Sequence, residues 1–198
     1  ALICRWRMSN KKVPMLNRHI RALSERLVQG EPLTHNMLSW AKQHVEWSLA
    51  EGDYTAHDGV LMLVIDVNGN AAMTVGEYEP LADTSAKALR ARSAEARSEA
   101  DETGVAPELL AAVNNGELAF VAPADECLCG TATLIEQLAQ TKGIPVTRVD
   151  IPAQLKGALF LVSDEHGVVP ATDADAAESD AATVAFFADG YEKLRARR

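Results

Sequence analysis

The groups through which this chain could do chemistry are few. Its five histidines, His19, His35, His44, His57 and His166, stand at no spacing that sets two ligands on one metal, and no HExxH motif occurs. Cys127 and Cys129 form a CxC pair. A thiolate metal site usually needs a second pair, and the chain has only 3 cysteines, so these read as small core residues and no metal site is expected. No GxSxG elbow, P-loop or GxGxxG is present, and nothing in the spacing favours a Cys–His catalytic pair.

Two places have a definite chemical use. Gly130-Thr131-Ala132-Thr133 precedes an apolar stretch with helical spacing. Free N–H groups and the positive end of the helix dipole gather at such a start, and two hydroxyls stand beside them. That is a phosphate cradle, or else an ordinary threonine cap after a glycine turn. Lys87 opens an Ala/Arg/Glu-rich segment. Buried, with its pKa depressed, its amine could form a Schiff base; solvated, it is one more charge on a helix face.

The elements that must position these groups follow from pattern. Leu2, Ile3 and Trp6 open a strand, and Val13 to Leu16 is expected as its hairpin partner, with Pro14 marking an edge. Asn17 can cap a helix carrying Ile20, Leu23 and Leu27, stopped at Gly30. A second helix is expected from Thr34 to about Ala50, with Leu38, Ala41, Val45 and Leu49 as its apolar stripe. Leu61 to Ile65 reads as a strand buried on both faces, returning through Asn68-Gly69-Asn70 into Ala71 to Val75. Beyond a break at Pro80 and Asp83 come a helix over Ser85 to Glu102, a hairpin about Asn114-Asn115-Gly116, and a helix over Thr131 to Lys142. A strand over Pro145 to Val149, a hairpin about Glu165-His166-Gly167, an acidic loop over Asp173 to Asp180 and a closing helix over Ala182 to Arg197 complete the chain.

With 198 residues, 47% of them hydrophobic, the chain can bury a sizeable core in one domain or two small lobes. Its formal net charge of -9 argues against nucleic acid as a general partner. No apolar run is long enough to cross a bilayer, so no membrane partner is expected. The opening Ala1 to Arg7 lacks a small-residue cleavage site, and the cysteine count is odd; a cytoplasmic protein is the expectation.

Taken in order, the pieces resemble the class IV pyridoxal-phosphate enzymes, the family of D-amino acid aminotransferase, branched-chain aminotransferase and aminodeoxychorismate lyase. Met15-Leu16-Asn17-Arg18-His19-Ile20-Arg21-Ala22-Leu23 is similar to the family's His-x-x-Arg-Leu helix, and Leu61 to Leu81 to its hairpin and crossing. Asn115-Gly116-Glu117-Leu118-Ala119-Phe120-Val121-Ala122-Pro123 resembles its DG-x-L-x-TP stretch, and Cys129 to Thr133 falls at its Gly-Ile-Thr-Arg phosphate-binding turn. Gly143-Ile144-Pro145-Val146 and Leu159-Phe160-Leu161-Val162-Ser163 match later motifs. Each motif is loose, and collinearity carries the resemblance. The departures are specific. Ala22 takes the phosphate-binding arginine's place, and Arg21 points about 100° away around a helix. Leu89-Arg90-Ala91 replaces the residues that often follow the Schiff-base lysine. The strand bearing the carboxylate for the pyridine nitrogen falls in a stretch that is too short here. Ser163-Asp164-Glu165 sets two carboxylates where the family contacts a phosphate.

The resemblance implies an α/β, α+β fold in two lobes, a small α/β lobe over residues 1–81 and an α+β lobe on a partly closed barrel over residues 82–198. It implies transaminase or lyase chemistry on a small amino or keto acid, with Lys87 as the imine lysine. Gly130, Thr131, Ala132, Thr133, Arg18 and Arg21 would hold pyridoxal phosphate. The alternative is a fold relative that has lost the cofactor and acts as a binding or interaction protein. A homodimer is expected from the same resemblance, with Trp40 and Trp47, seven apart on one helix face, as a candidate contact.

Overall fold

The computed structural model describes residues 1–52, 54, 58–66 and 68–197; His57, one of the five histidines, lies outside them. Strand β1 (Leu2–Met8) buries Leu2, Cys4, Trp6 and Met8 and turns Ile3, Arg5 and Arg7 to the other side, the period-two pattern of a pleated strand. Helix α1 (Leu16–Ser24) and the two-residue strands β2 (Leu27–Val28) and β3 (Glu31–Pro32) follow. Helix α2 (His35–Glu51) is capped by the Thr34 hydroxyl, which accepts the Met37 N–H, and buries Ala41, Val45 and Leu49 at the expected spacing. Strands β4 (Gly59–Ile65) and β5 (Ala71–Gly76) complete a three-stranded antiparallel sheet in the order β1-β4-β5. Its covered face, with Leu23, Val45 and Leu49, forms the first core.

Three expectations fail here. The partner of β1 is β4, with Leu2 opposite Ile65 and Met8 opposite Gly59, and not the segment after the first turn. Ser9 and Lys12 do pair across Asn10-Lys11, both in left-handed conformation, but Pro14 has no N–H to continue a ladder and Leu16 already begins α1. An uninterrupted aliphatic strand offers β1 seven pairs instead. Second, β4 is not buried on both faces. Leu61, Leu63 and Ile65 are, whereas Val60, Met62 and Val64 are half-buried, because helices cover only one side. Third, α1 stops before Gly30, which makes the turn between β2 and β3.

Helix α3 (Ala86–Thr103) has Ser85 as its cap and Gly104, in left-handed conformation, as its stop. Strands β6 (Leu109–Asn114), β7 (Glu117–Val121), β8 (Val146–Val149), β9 (Ala158–Ser163) and β10 (Gly167–Pro170) form one sheet in the order β10-β9-β6-β7-β8, with β7 and β8 parallel. The strand order is linear, with β10 and β8 at its edges. Helices α4 (Gly130–Thr141) and α5 (Glu178–Arg195) cover one face, packing over Leu109, Ala111, Phe120 and Phe160, with Phe187 of α5 buried among them. The other face holds Leu110, Ala112, Leu159 and Leu161 against Leu89 of α3. The two central strands therefore bury both faces, as their near-continuous apolar sequence requires.

The acidic segment before the last helix is shorter than expected, and Asp180 belongs to α5. Its buried carboxylate accepts the N–H groups of Asn115 (2.9 Å) and Gly116 (3.0 Å) in the left-handed β6–β7 turn. Hydrogen bonds to a charged group are worth about 1.5–3 kcal/mol. Asp180→Ala is expected to lower the urea unfolding free energy by about 2–3 kcal/mol; an unchanged midpoint would mean that the turn holds itself.

Candidate active site

The site forms where β1 and α1 meet the first turn of α4 and the β9–β10 connection. Helix α4 has no side-chain cap at Cys129, so its first N–H groups need another acceptor. Asp164 supplies one: its Oδ1 accepts the Thr131 N–H at 2.9 Å and the Thr131 hydroxyl at 2.7 Å. Ser163 fixes the turn that carries Asp164, its hydroxyl accepting the N–H of Glu165 (3.1 Å) and of His166 (3.0 Å). The Asp164 carbonyl accepts the Arg7 N–H of β1 at 2.9 Å.

His19 closes the other side. Its ring stacks on Trp6, its side chain is 2% exposed, and its Nδ1 lies 3.6 Å from Asp164 Oδ1. Any side chain at Gly130 would collide with this ring, so the glycine exists here to admit an imidazole. Burial is the largest influence on Asp164 and would raise its pKa, but the His19 charge, the contact with His19 and the two Thr131 bonds outweigh it and hold the carboxyl below its usual range.

The cavity beside this contact encloses about 70 Å³, and His19, Arg26, Glu99, Glu108, Cys129 and Asp164 are among its lining. Its charges are mostly neutralised in pairs. Arg5 and Glu99 meet at 2.6 Å, and that hydrogen bond keeps Glu99 ionised below the ordinary range. Arg92 holds Glu108 Oε1 at 2.6 Å, leaving Glu108 Oε2 buried without a protein partner. Arg26 donates to the Ile3 and Gly104 carbonyls and so caps the end of α3. Burial pushes the Cys4 thiol up to about 12 and Cys129 well above its ordinary value, so neither is a nucleophile at neutral pH. Among the described residues no group of three or more His, Cys, Asp or Glu is placed to hold a metal ion.

The expected site residues come together only in part: Arg18 meets the start of α4, while Arg21 and Lys87 are exposed elsewhere. Gly130 and Thr131 are buried next to Cys129, which lines the cavity; Gly130 is the first residue of α4 and Thr131 is spent on Asp164. Ala132 is core. Thr133 donates to the Gly130 carbonyl (2.7 Å) and accepts from Arg18 Nη1 (3.2 Å), whose other nitrogen binds Gln137; Arg18 thus clamps α1 to α4. Arg21 is exposed and reaches back to the Asn17 carbonyl. Lys87 is exposed in the first turn of α3. Helix α3 meets the cavity at Ala96 and Glu99, in its second half, and Lys87 is not among the lining residues.

Pyridoxal phosphate does not fit this arrangement. A carboxylate takes the donors of the first turn of α4 that the expected phosphate would need, and no lysine is among the cavity's lining residues. Sequence reading missed Arg26 and the His19–Asp164 contact. Arg26 lies beyond the end of α1, and no local signal in the sequence marks it.

Asp164 has a depressed pKa in the folded state, so its contribution to stability is present above the unfolded value, roughly 3.9, and is lost as pH falls through the folded one. Asp164→Asn is therefore expected to cost about 2 kcal/mol at pH 7, and the gap from the unaltered protein should begin to narrow as pH falls below about 4. Urea unfolding of both proteins across pH 3–8 measures this, and a gap independent of pH would contradict it.

By sequence the chain matches no family model and no curated protein. Solved structures do match it in three dimensions. A hypothetical aminotransferase from Mycobacterium tuberculosis in its apo form superposes with a TM-score of 0.66 at 12% identity, over 99% of this chain and 89% of that one. Its PLP-bound form gives 0.63 at 11%, over 97% and 89%. A fold IV-transaminase from Curtobacterium pusillum gives 0.61 at 15%, over 100% and 86%. A protein assigned as a 4-amino-4-deoxychorismate lyase from Legionella pneumophila gives 0.61 at 11%, over 96% and 90%. From end to end, this chain has the mixed α/β fold of the class IV aminotransferases.

Proposed function

We propose that this protein is a divergent class IV aminotransferase-like chain that works by binding rather than by pyridoxal-phosphate chemistry. Its cleft would lie between two lobes, residues 1–81 and 82–198. The observation that carries this reading is Asp164 seated on the first turn of α4, where a phosphate would have to go. The exposed Lys87, absent from the cavity's lining, supports it. Fold alone does not carry an activity, since one fold hosts many sites.

The ligand we infer is a small amine or amino acid. Glu108 Oε2 is a buried acceptor with no protein partner at the cavity, and an ammonium group is the donor that would satisfy it. The competing reading is an active enzyme that opens to take pyridoxal phosphate on Lys87; the fold's likeness to a PLP-bound structure favours it. Borohydride reduction with pyridoxal phosphate, followed by peptide mapping, separates the two. We expect substoichiometric label scattered over surface lysines. A one-to-one adduct on Lys87, absent from Lys87→Ala, would establish the enzyme instead.

We further propose a cytoplasmic homodimer. No helix among the described residues is long and apolar enough to cross a membrane. Trp40 and Trp47 are 43% and 66% exposed on α2, an unusual cost for large apolar rings left in water. Light scattering should return twice the chain mass, and Trp47→Glu should return it to one; a monomer mass for the unaltered protein at high concentration would rule the dimer out.

A further inference from the structure

We infer that Asp164 is an intramolecular replacement for a bound oxyanion: it plugs a working phosphate cradle, and its removal restores phosphate binding. The inference rests on the binding reading above, in which no phosphate-bearing cofactor occupies the cleft.

The donors of the helix start are in place. Helix α4 runs for 12 residues, and its N-cap residue Cys129, which makes no side-chain cap, lines the cavity together with Asp164 and His19. One carboxylate oxygen there takes both an N–H and a hydroxyl from Thr131, the pair of donors a phosphate oxygen would take. A second observation is independent of the helix. His19 Nδ1 has no hydrogen-bond partner, its side chain is 2% exposed, and it lies at the cavity against the same oxygen at 3.6 Å. A buried ring nitrogen left just outside bonding distance is costly, and a larger tetrahedral anion in Asp164's place would bring an oxygen closer to it.

The plug is built to stay. Ser163 orders the turn behind Asp164, and Arg7 holds the Asp164 carbonyl. One residue thereby joins β1, α1 and α4, elements that a cofactor phosphate would otherwise have to bridge. A tethered carboxylate needs no ligand and loses no translational entropy, so it excludes a free anion from the same donors.

Asp164→Gly removes the plug and leaves the donors, with the vacated space adjoining the existing cavity. The probe is inorganic phosphate, compared with chloride at matched ionic strength. The unaltered protein should melt at the same temperature in both. Asp164→Gly should melt lower in chloride and rise by about 3–6 °C when phosphate reaches ten times its Kd. Adding Thr131→Val should abolish the rise. Asp164→Ala is carried in parallel. Should neither variant fold in chloride, recovery of the far-ultraviolet dichroism on refolding in phosphate becomes the readout. Equal melting of the Asp164 variants in both salts, no recovery by phosphate, or the same rise in the unaltered protein would each overturn the inference. A Lys87 adduct in the unaltered protein would defeat the functional reading while leaving this comparison to be read by itself.

Discussion

The carboxylate of Asp164 against the first turn of α4 is the contact on which the centre of this molecule depends. Four elements distant in sequence meet there: β1 through the Arg7 N–H, α1 through His19, α4 through Thr131, and the β9–β10 connection that carries the aspartate. A helix start buried without an acceptor is unfavourable, and so is a carboxylate largely removed from water; its side chain is 13% exposed. Each cancels the other's cost. The glycine at 130 follows from the same contact, because only a missing side chain leaves room for His19.

Around that centre the charges are arranged to hold elements together. Arg5 pairs with Glu99 and so ties β1 to α3; Arg92 pairs with Glu108 and ties α3 to the approach of β6; Arg97 pairs with Glu126. Arg18 joins α1 to α4, and Arg26 ends α3. Arginines that a cofactor-binding reading would send toward a phosphate are spent on carbonyls, amides and carboxylates of the chain itself. Planar guanidinium groups suit this work, since their several donors sit in a fixed fork. The result is a cleft closed by internal polar contacts, with Glu108 Oε2 and His19 Nδ1 the buried atoms at the cavity left without hydrogen bonds.

The fold and the site answer to different constraints. The five-stranded sheet, the helices on its two faces and the order of elements superpose on fold IV-transaminase structures at 11–15% identity. Such a framework rests on burying apolar faces in the right order, which many sequences can do. The site rests on single groups in single places, and one carboxylate is enough to change what the same helix start will accept.

Local order in the sequence determined most of the elements. The stripe of Ala41, Val45 and Leu49, the Ser85 and Thr34 caps, and the Asn115-Gly116 turn act over a few residues, so their signals lie within a few residues of one another. The collinear motifs also sufficed for the fold. What required tertiary structure was every decision made by a partner far along the chain. Strand β1 chose β4 rather than its neighbour, the helix start at Gly130 received Asp164, and Lys87 came to lie exposed in the first turn of α3. A glycine-threonine turn offers the same donors to a phosphate and to an aspartate, and spacing cannot say which will arrive. That choice depends on where a residue 33 positions away is carried by the sheet.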